Sequence, residues 1–191
     1  MSRVVVTEYL SLDGVMEISG GAEQSEPGGW TAPYWSDELG EYQLDGVVAS
    51  DALLLGRVTY QEFAAAWPNM EHEAGPFAQR MNSLPKFVAT ETLDQLEWNA
   101  TPLKGDVVAE VARLKQQSGR DLLVYGSGAL VRTLMHHSLV DEFRLIIYPV
   151  VLGSGRRLFE GASRASLKPL GVKTFSSGVV SLSYQPAEGA V

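Results

Sequence analysis

The chain reads as an α/β protein with a mixed, mainly parallel sheet flanked by helices on both faces. Short apolar runs rich in β-branched residues alternate with segments of helical periodicity, the signature of parallel strands joined by helices. Several of these runs end at a glycine from which a helical pattern starts at once. Near the end, two strand-like runs flank Ser176-Ser177-Gly178, which predicts a closing antiparallel hairpin and hence a mixed sheet.

Each element follows in order. Val4-Val5-Val6-Thr7 is a short buried strand, and Ser11-Leu12-Asp13-Gly14 is the turn after it. Positions 16–33 are poor in aliphatic residues and hold Gly20, Gly21, Gly28 and Gly29. A loop of that length in a compact domain is a lid, a binding loop or disordered. It runs into Trp30, Tyr34 and Trp35. Ser36 is placed to cap a helix with Asp37 and Glu38 in its first turn and Leu39, Tyr42 and Val47 as apolar positions. A second strand, 52–55, ends at Gly56, and helices follow at 59–66 and 77–82. The third strand, 86–90, is entered through Pro85. Asp106 caps an amphipathic helix with Val107, Val108, Val111 and Leu114 at helical spacing, stopped by Gly119. A fourth strand, 121–125, leads through Gly126-Ser127-Gly128 into a helix at 129–137. The fifth strand spans 141–151, a loop covers 154–159, and the hairpin strands are 167–175 and 179–184. There is no repeat or low-complexity segment, so one domain is expected over 1–191.

The 191 residues are 45% hydrophobic and 20% charged, enough for one real core. The formal net charge of -8 argues against nucleic acid and anionic membranes as partners, because both demand clustered Lys and Arg. A local pocket can still be positive and hold a phosphorylated small ligand. There are no cysteines, and His72, His136 and His137 have no metal-ligand spacing with carboxylates, so no metal is expected. The first eight residues lack a signal-peptide pattern and no run is long enough to span a bilayer, which makes the cytoplasm the expected location.

Chemistry concentrates at strand ends. Glycines at 126 and 128 let the backbone turn sharply and a phosphate come close, and the amides of the following helix then face the anion. The same segment is also compatible with a plain strand-to-helix turn, and it lacks the third glycine of the dinucleotide fingerprint, Val131 standing there. Gly56-Arg57-Val58-Thr59 repeats the logic, Arg57 offering a planar fork and Thr59 a hydroxyl or a helix cap. Thr90, at the end of the third strand, belongs to the same edge. Asp13 either closes an Asx-turn or meets substrate. Trp30, Tyr34 and Trp35 are a stacking wall or loop anchors. Asp37, Glu38 and Glu41 are proton donors, substrate anchors or a solvated helix face. His136-His137 ends a helix, where dipole contact and packing account for it.

Taken in series, Ser11-Leu12-Asp13-Gly14, Leu55-Gly56-Arg57-Val58-Thr59-Tyr60, Val124-Tyr125-Gly126-Ser127-Gly128, 139–145 and Tyr148-Pro149-Val150-Val151-Leu152-Gly153-Ser154-Gly155 resemble the bacterial riboflavin-reductase C-terminal domain family. That family shares the dihydrofolate reductase fold, and the match extends over nearly the whole chain. The resemblance implies a mostly parallel sheet of about eight strands with an antiparallel C-terminal hairpin. It implies an NADPH-dependent reductase, similar to 5-amino-6-(5-phosphoribosylamino)uracil reductase, that gives a hydride to a pyrimidine- or pterin-like substrate. Gly56, Arg57, Thr59, Gly126, Ser127, Gly128 and Ala129 would contact the cofactor phosphates, and Thr90 would lie near the 2'-phosphate. Ser11, Leu12 and Asp13 would border the nicotinamide and substrate, and the proton would come from Asp13 or from ordered water. Trp30, Trp35, Asp37 and Glu41 would face the substrate, and the chain would form a homodimer. The alternative is a non-catalytic nucleotide- or heterocycle-binding module on the same scaffold.

Overall fold

The computed structural model describes residues 1–17, 29–117, 119–162 and 164–187; most of the 16–33 loop therefore lies outside the described residues. Eight strands form one sheet in the order β5-β4-β3-β6-β1-β7-β10-β9. These are β5 (Ala100–Leu103), β4 (Lys86–Ala89), β3 (Ser50–Gly56), β6 (Asp121–Tyr125), β1 (Arg3–Ser11), β7 (Glu142–Tyr148), β10 (Val180–Pro186) and β9 (Leu167–Thr174). The first six run parallel, and β10 and β9 close the sheet as an antiparallel hairpin. A two-stranded antiparallel ribbon pairs β2 (Val15–Glu17) with β8 (Arg156–Arg157).

The centre of the sheet is apolar on both faces, which is why its strands read as continuous apolar runs rather than alternating ones. On β1, Val4, Val6 and Leu10 join one core, and Val5 the other. The first core is closed by α4 (Val107–Gln116) and α5 (Gly128–His136) through Val111, Leu114, Leu130, Val131 and Leu134. The second is closed by α1 (Asp37–Val48), α2 (Arg57–Ala66) and α3 (Glu71–Ser83) through Val47, Tyr60 and Met81. Each fully buried aliphatic side chain contributes about 1.5–3 kcal/mol relative to exposure.

Several elements differ from expectation. The fifth strand stops at Tyr148, because Pro149 offers no N–H to continue the ladder. The strand at 100–103 was unread, because its Ala-Thr-Pro-Leu run has no alternation and Pro102 is tolerated only at this sheet edge. Helix α3 starts at Glu71 and kinks at Gly75 (φ 51), before Pro76. Helix α4 ends at Gln116, and Gly119 is instead a close approach, where a Cβ would come 2.9 Å from Ser2 Oγ. Lys86 is fully buried: its ammonium donates to Asn82 O at 2.8 Å and lies 3.9 Å from the centre of the Trp98 ring. Burial pulls its pKa down to about 8.

Candidate functional site

Strands β3 and β6 are neighbours, so the turns that follow them lie side by side. They are stitched together reciprocally. The Gly56 N–H donates to Ser127 Oγ at 2.9 Å, and the Ser127 N–H donates to Thr59 Oγ1 at 3.0 Å. The Ser127 hydroxyl itself donates to Tyr125 O at 3.0 Å, so it is fully engaged in shaping the turn. Gly126 and Ser127 both take left-handed backbone, φ 54 and 61. Gly56, not Thr59, stands at the N-cap of α2, and among the described residues no side chain caps either α2 or α5. By contrast, Ser36 caps α1 and Asp106 caps α4. Two uncapped, glycine-led helix N-termini at adjacent strand ends offer free amides and aligned dipoles to an anion. A Cβ on Gly128 would come 2.7 Å from Met16 Sδ, the far end of a flexible side chain packed against this turn. Arg57 is exposed beside the turn and donates to Gln61 Oε1 at 3.2 Å on its own helix. Ala129 is exposed on the first turn of α5. Thr90 lies at the same edge, but it is buried and its Oγ1 accepts from the Thr92 and Leu93 amides, closing its own turn.

Asp13 is a latch. Its carboxylate accepts from the Ser11 hydroxyl at 2.7 Å, the Leu152 N–H at 3.1 Å and the Gly153 N–H at 3.0 Å. Ser11 in turn accepts from the Val15 N–H at 2.9 Å, and Arg157 donates to Asp13 O at 3.1 Å. These donors, the Ser11 hydroxyl first, hold the Asp13 pKa down at about 2. These bonds make Asp13 a structural tie between the end of β1 and the segment 152–153. Leu12 stands exposed at the tip of the turn.

Beside these turns, across the ends of β1 and β7, opens a cleft of about 720 Å³. Tyr9, Trp35, Trp67, Phe77 and Tyr148 wall it, and Asp37, Glu41 and Glu73 line it from α1 and α3. Three of the four expected substrate residues therefore meet here. Trp30 stands behind, packed edge-on against Tyr148 at 5.3 Å between ring centres. Tyr9 bridges the rings of Tyr125 and Tyr148, at 6.3 and 5.8 Å. Burial pushes the Tyr148 hydroxyl up to about 12, opposed by a hydrogen bond from Gln43. No cluster suited to a metal ion occurs among the described residues.

Glu8 escaped sequence reasoning. It is buried on β1, accepts from the Gly126 N–H and leaves Oε1 without a partner. Burial raises its pKa well above the usual carboxylate range. The available signal was its position: Val4, Val6, Glu8 and Leu10 share one parity, so Glu8 points where the core-facing aliphatics point.

The family model of the RibD C-terminal domain matches residues 2–181. The chain belongs to the RibD C-terminal domain family. Two family-sized relatives from Bacillus subtilis (strain 168) are similar in sequence. The uncharacterised protein YyaP is 35% identical over 140 residues, 70% of this chain and 73% of that protein. The uncharacterised protein YwjB is 30% identical over 179 residues, 93% and 94% of the two chains. Among solved structures, a candidate riboflavin biosynthesis protein of Shewanella sp. PV-4 superimposes with TM-score 0.75 at 20% identity, covering 97% of this chain and 99% of that one. A Thermotoga maritima deaminase/5-amino-6-(5-phosphoribosylamino)uracil reductase gives 0.69 at 16% identity, covering 97% of this chain but 57% of that larger one. Dihydrofolate reductase from Enterococcus faecalis, complexed with NADP(H), gives 0.63 at 13% identity, covering 97% of each chain. The RibD C-terminal sheet of this chain thus has the dihydrofolate reductase fold, and the family links the chain to reductase chemistry.

Proposed function

We propose that the protein is an NADPH-dependent reductase that passes a hydride to a small, flat, pyrimidine- or pterin-like heterocycle. The observation that carries this reading is the pair of uncapped helix N-termini at the ends of β3 and β6, directly beside an aromatic cleft at the ends of β1 and β7. The residues suit such a cofactor. The amides of Gly128 and Ala129, with Arg57 able to reach across, would hold phosphate. When bound, the nicotinamide supplies the hydride. The chain supplies position. The reciprocal bonds among Gly56, Thr59 and Ser127 fix the two turns as one unit, and the Asp13 latch fixes the end of β1 between turn and cleft. Aromatic walls hold a planar ring and exclude water from its faces. With Asp13 ionised, water at the open rim beside Asp37 and Glu41 delivers the proton. The reading places the enzyme in the cytoplasm, working as a homodimer.

Isothermal titration tests it: NADPH is expected to bind more tightly than NADH, and no binding of either nucleotide at millimolar concentration would sink the proposal. A second reading, a non-catalytic nucleotide- or heterocycle-binding module, draws on the engagement of the Asp13 carboxylate by the Ser11 hydroxyl and the Leu152 and Gly153 N–H groups. NADPH oxidation above background with a panel of pyrimidines and pterins rejects that reading.

A further inference from the structure

We infer that the protein has a second small-molecule site, a cavity beneath α1 that takes a small aliphatic carboxylate. The cavity has a volume of about 260 Å³ and lies between α1 and strands β1, β6 and β7. It is distinct from the aromatic cleft, and Gln43 is the wall common to both. Its polar lining is built in: Thr7, Gln43 and Tyr125 are only 5%, 7% and 6% exposed. A cavity so polar and so roomy holds water or a ligand. Arg144 decides the class of ligand. Its nitrogens are divided between two sides. Nε donates to Glu142 Oε1 at 2.6 Å and Nη2 stands 3.6 Å from Asp121 Oδ2, and neither carboxylate lines the cavity. Nη1 lies beside Gly46, 3.5 Å from where a Cβ would sit, and Gly46 and Arg144 both line the cavity. The two carboxylates thus hold the guanidinium in place while one edge of it faces the cavity. That edge, with the Thr7 and Tyr125 hydroxyls in the same lining, suits a carboxylate. Ile146 and the Tyr42 ring, whose hydroxyl is engaged by Ser181 Oγ at 2.8 Å, add apolar wall, which suits an organic body over an inorganic ion. The other charged group in the lining is Asp45, exposed on α1, where solvent screens it.

The test titrates propionate into the full chain by calorimetry at constant ionic strength, beside propionamide, propylammonium and inorganic phosphate. Propionate is expected to bind with a dissociation constant on the order of 1–10 mM, which about five non-hydrogen atoms support, and the other three at least about fivefold more weakly. Arg144→Gln would unbalance the buried Glu142 and Asp121, so the site is tested from its other walls. Gly46→Leu fills the cavity from a helical position where leucine is the better helix former. It is expected to weaken propionate about tenfold or more with the circular dichroism spectrum unchanged. Thr7→Val keeps the shape and removes a donor, and is expected to weaken propionate about threefold. Asp45→Asn removes the screened repulsion and is expected to tighten it by up to about threefold. The inference is overturned by an absence of propionate binding, or by any of the three comparison compounds binding as tightly. Undiminished binding in folded Gly46→Leu or Thr7→Val, or weaker binding in Asp45→Asn, overturns it as well.

Discussion

A carboxylate that accepts a hydroxyl and two backbone N–H groups gives up its use as an acid and gains hold on the chain. For Asp13 the folded pKa of about 2 lies below the ordinary 3.8, so its stabilisation is present above pH 3.8 and is lost as pH falls through about 2. Asp13→Asn is expected to lower the melting temperature at pH 7, and the gap should close near pH 2; a gap constant across that range would remove the charge from the role. Lys86 works with the opposite cost. Its folded pKa of about 8 is depressed from 10.5, so burying it costs nothing above pH 10.5 and progressively more as pH falls to about 8. Lys86→Met should therefore gain on the wild type between pH 10 and pH 7, by on the order of 1–3 kcal/mol in denaturant titrations. A difference independent of pH would refute this. Arg57→Ala should weaken NADPH about tenfold and NADH less, read by calorimetry; equal losses would take Arg57 away from the 2'-phosphate. Neither Glu8 nor Lys86 was legible as a buried group, because a charged residue normally marks the surface and only tertiary packing covers it.

At the scale of elements, the two glycines of the β6–α5 turn do different work. Gly126 combines φ 54 with Thr59 Oγ1 only 3.1 Å from where a Cβ would sit, so Gly126→Ala is expected to cost about 1–3 kcal/mol of stability. At Gly128 the obstacle is the far end of the flexible Met16 side chain. Gly128→Ala should therefore cost less than about 1 kcal/mol in thermal melts. Equal effects of the two substitutions on stability would contradict this division. These turns were readable from the chain because glycines after an apolar run announce them. The short β2–β8 ribbon was not, since three- and two-residue strands carry no periodicity. Nor was the engagement of the Ser127 hydroxyl, which accepts from the Gly56 N–H 71 positions away in the chain.

For the whole molecule, a mixed, helix-flanked sheet could be read from alternation, but not the neighbours within it. The cleft is assembled from β1, β7, α1 and α3, and nothing in local pattern brings Tyr9 to Tyr148 or Asp37 to Glu73. Exposed apolar residues also emerge only in three dimensions. Leu12 and Val151 are 67% and 66% exposed and lie together, the Leu12 N–H donating to Val150 O at 2.8 Å. We propose this pair as the contact surface of the proposed homodimer. Leu12→Glu with Val151→Glu should then halve the mass seen by light scattering, towards 20.7 kDa. A mass unchanged by the pair of substitutions would move the interface elsewhere, towards the edge strand β9, where Leu170 and Val172 are exposed.

The place of β1 between β6 and β7 has a consequence for how the protein is made. Strand β1 leaves the ribosome well before its two neighbours, residues 121–125 and 142–148. Its valines must wait for them, unpaired and apolar, in the manner of chains dominated by distant contacts, which fold slowly and are exposed to aggregation meanwhile. A nascent chain halted before residue 142 would hold a half-built sheet with one side of its central strand open, and such a fragment should be captured by chaperones where the finished chain is not.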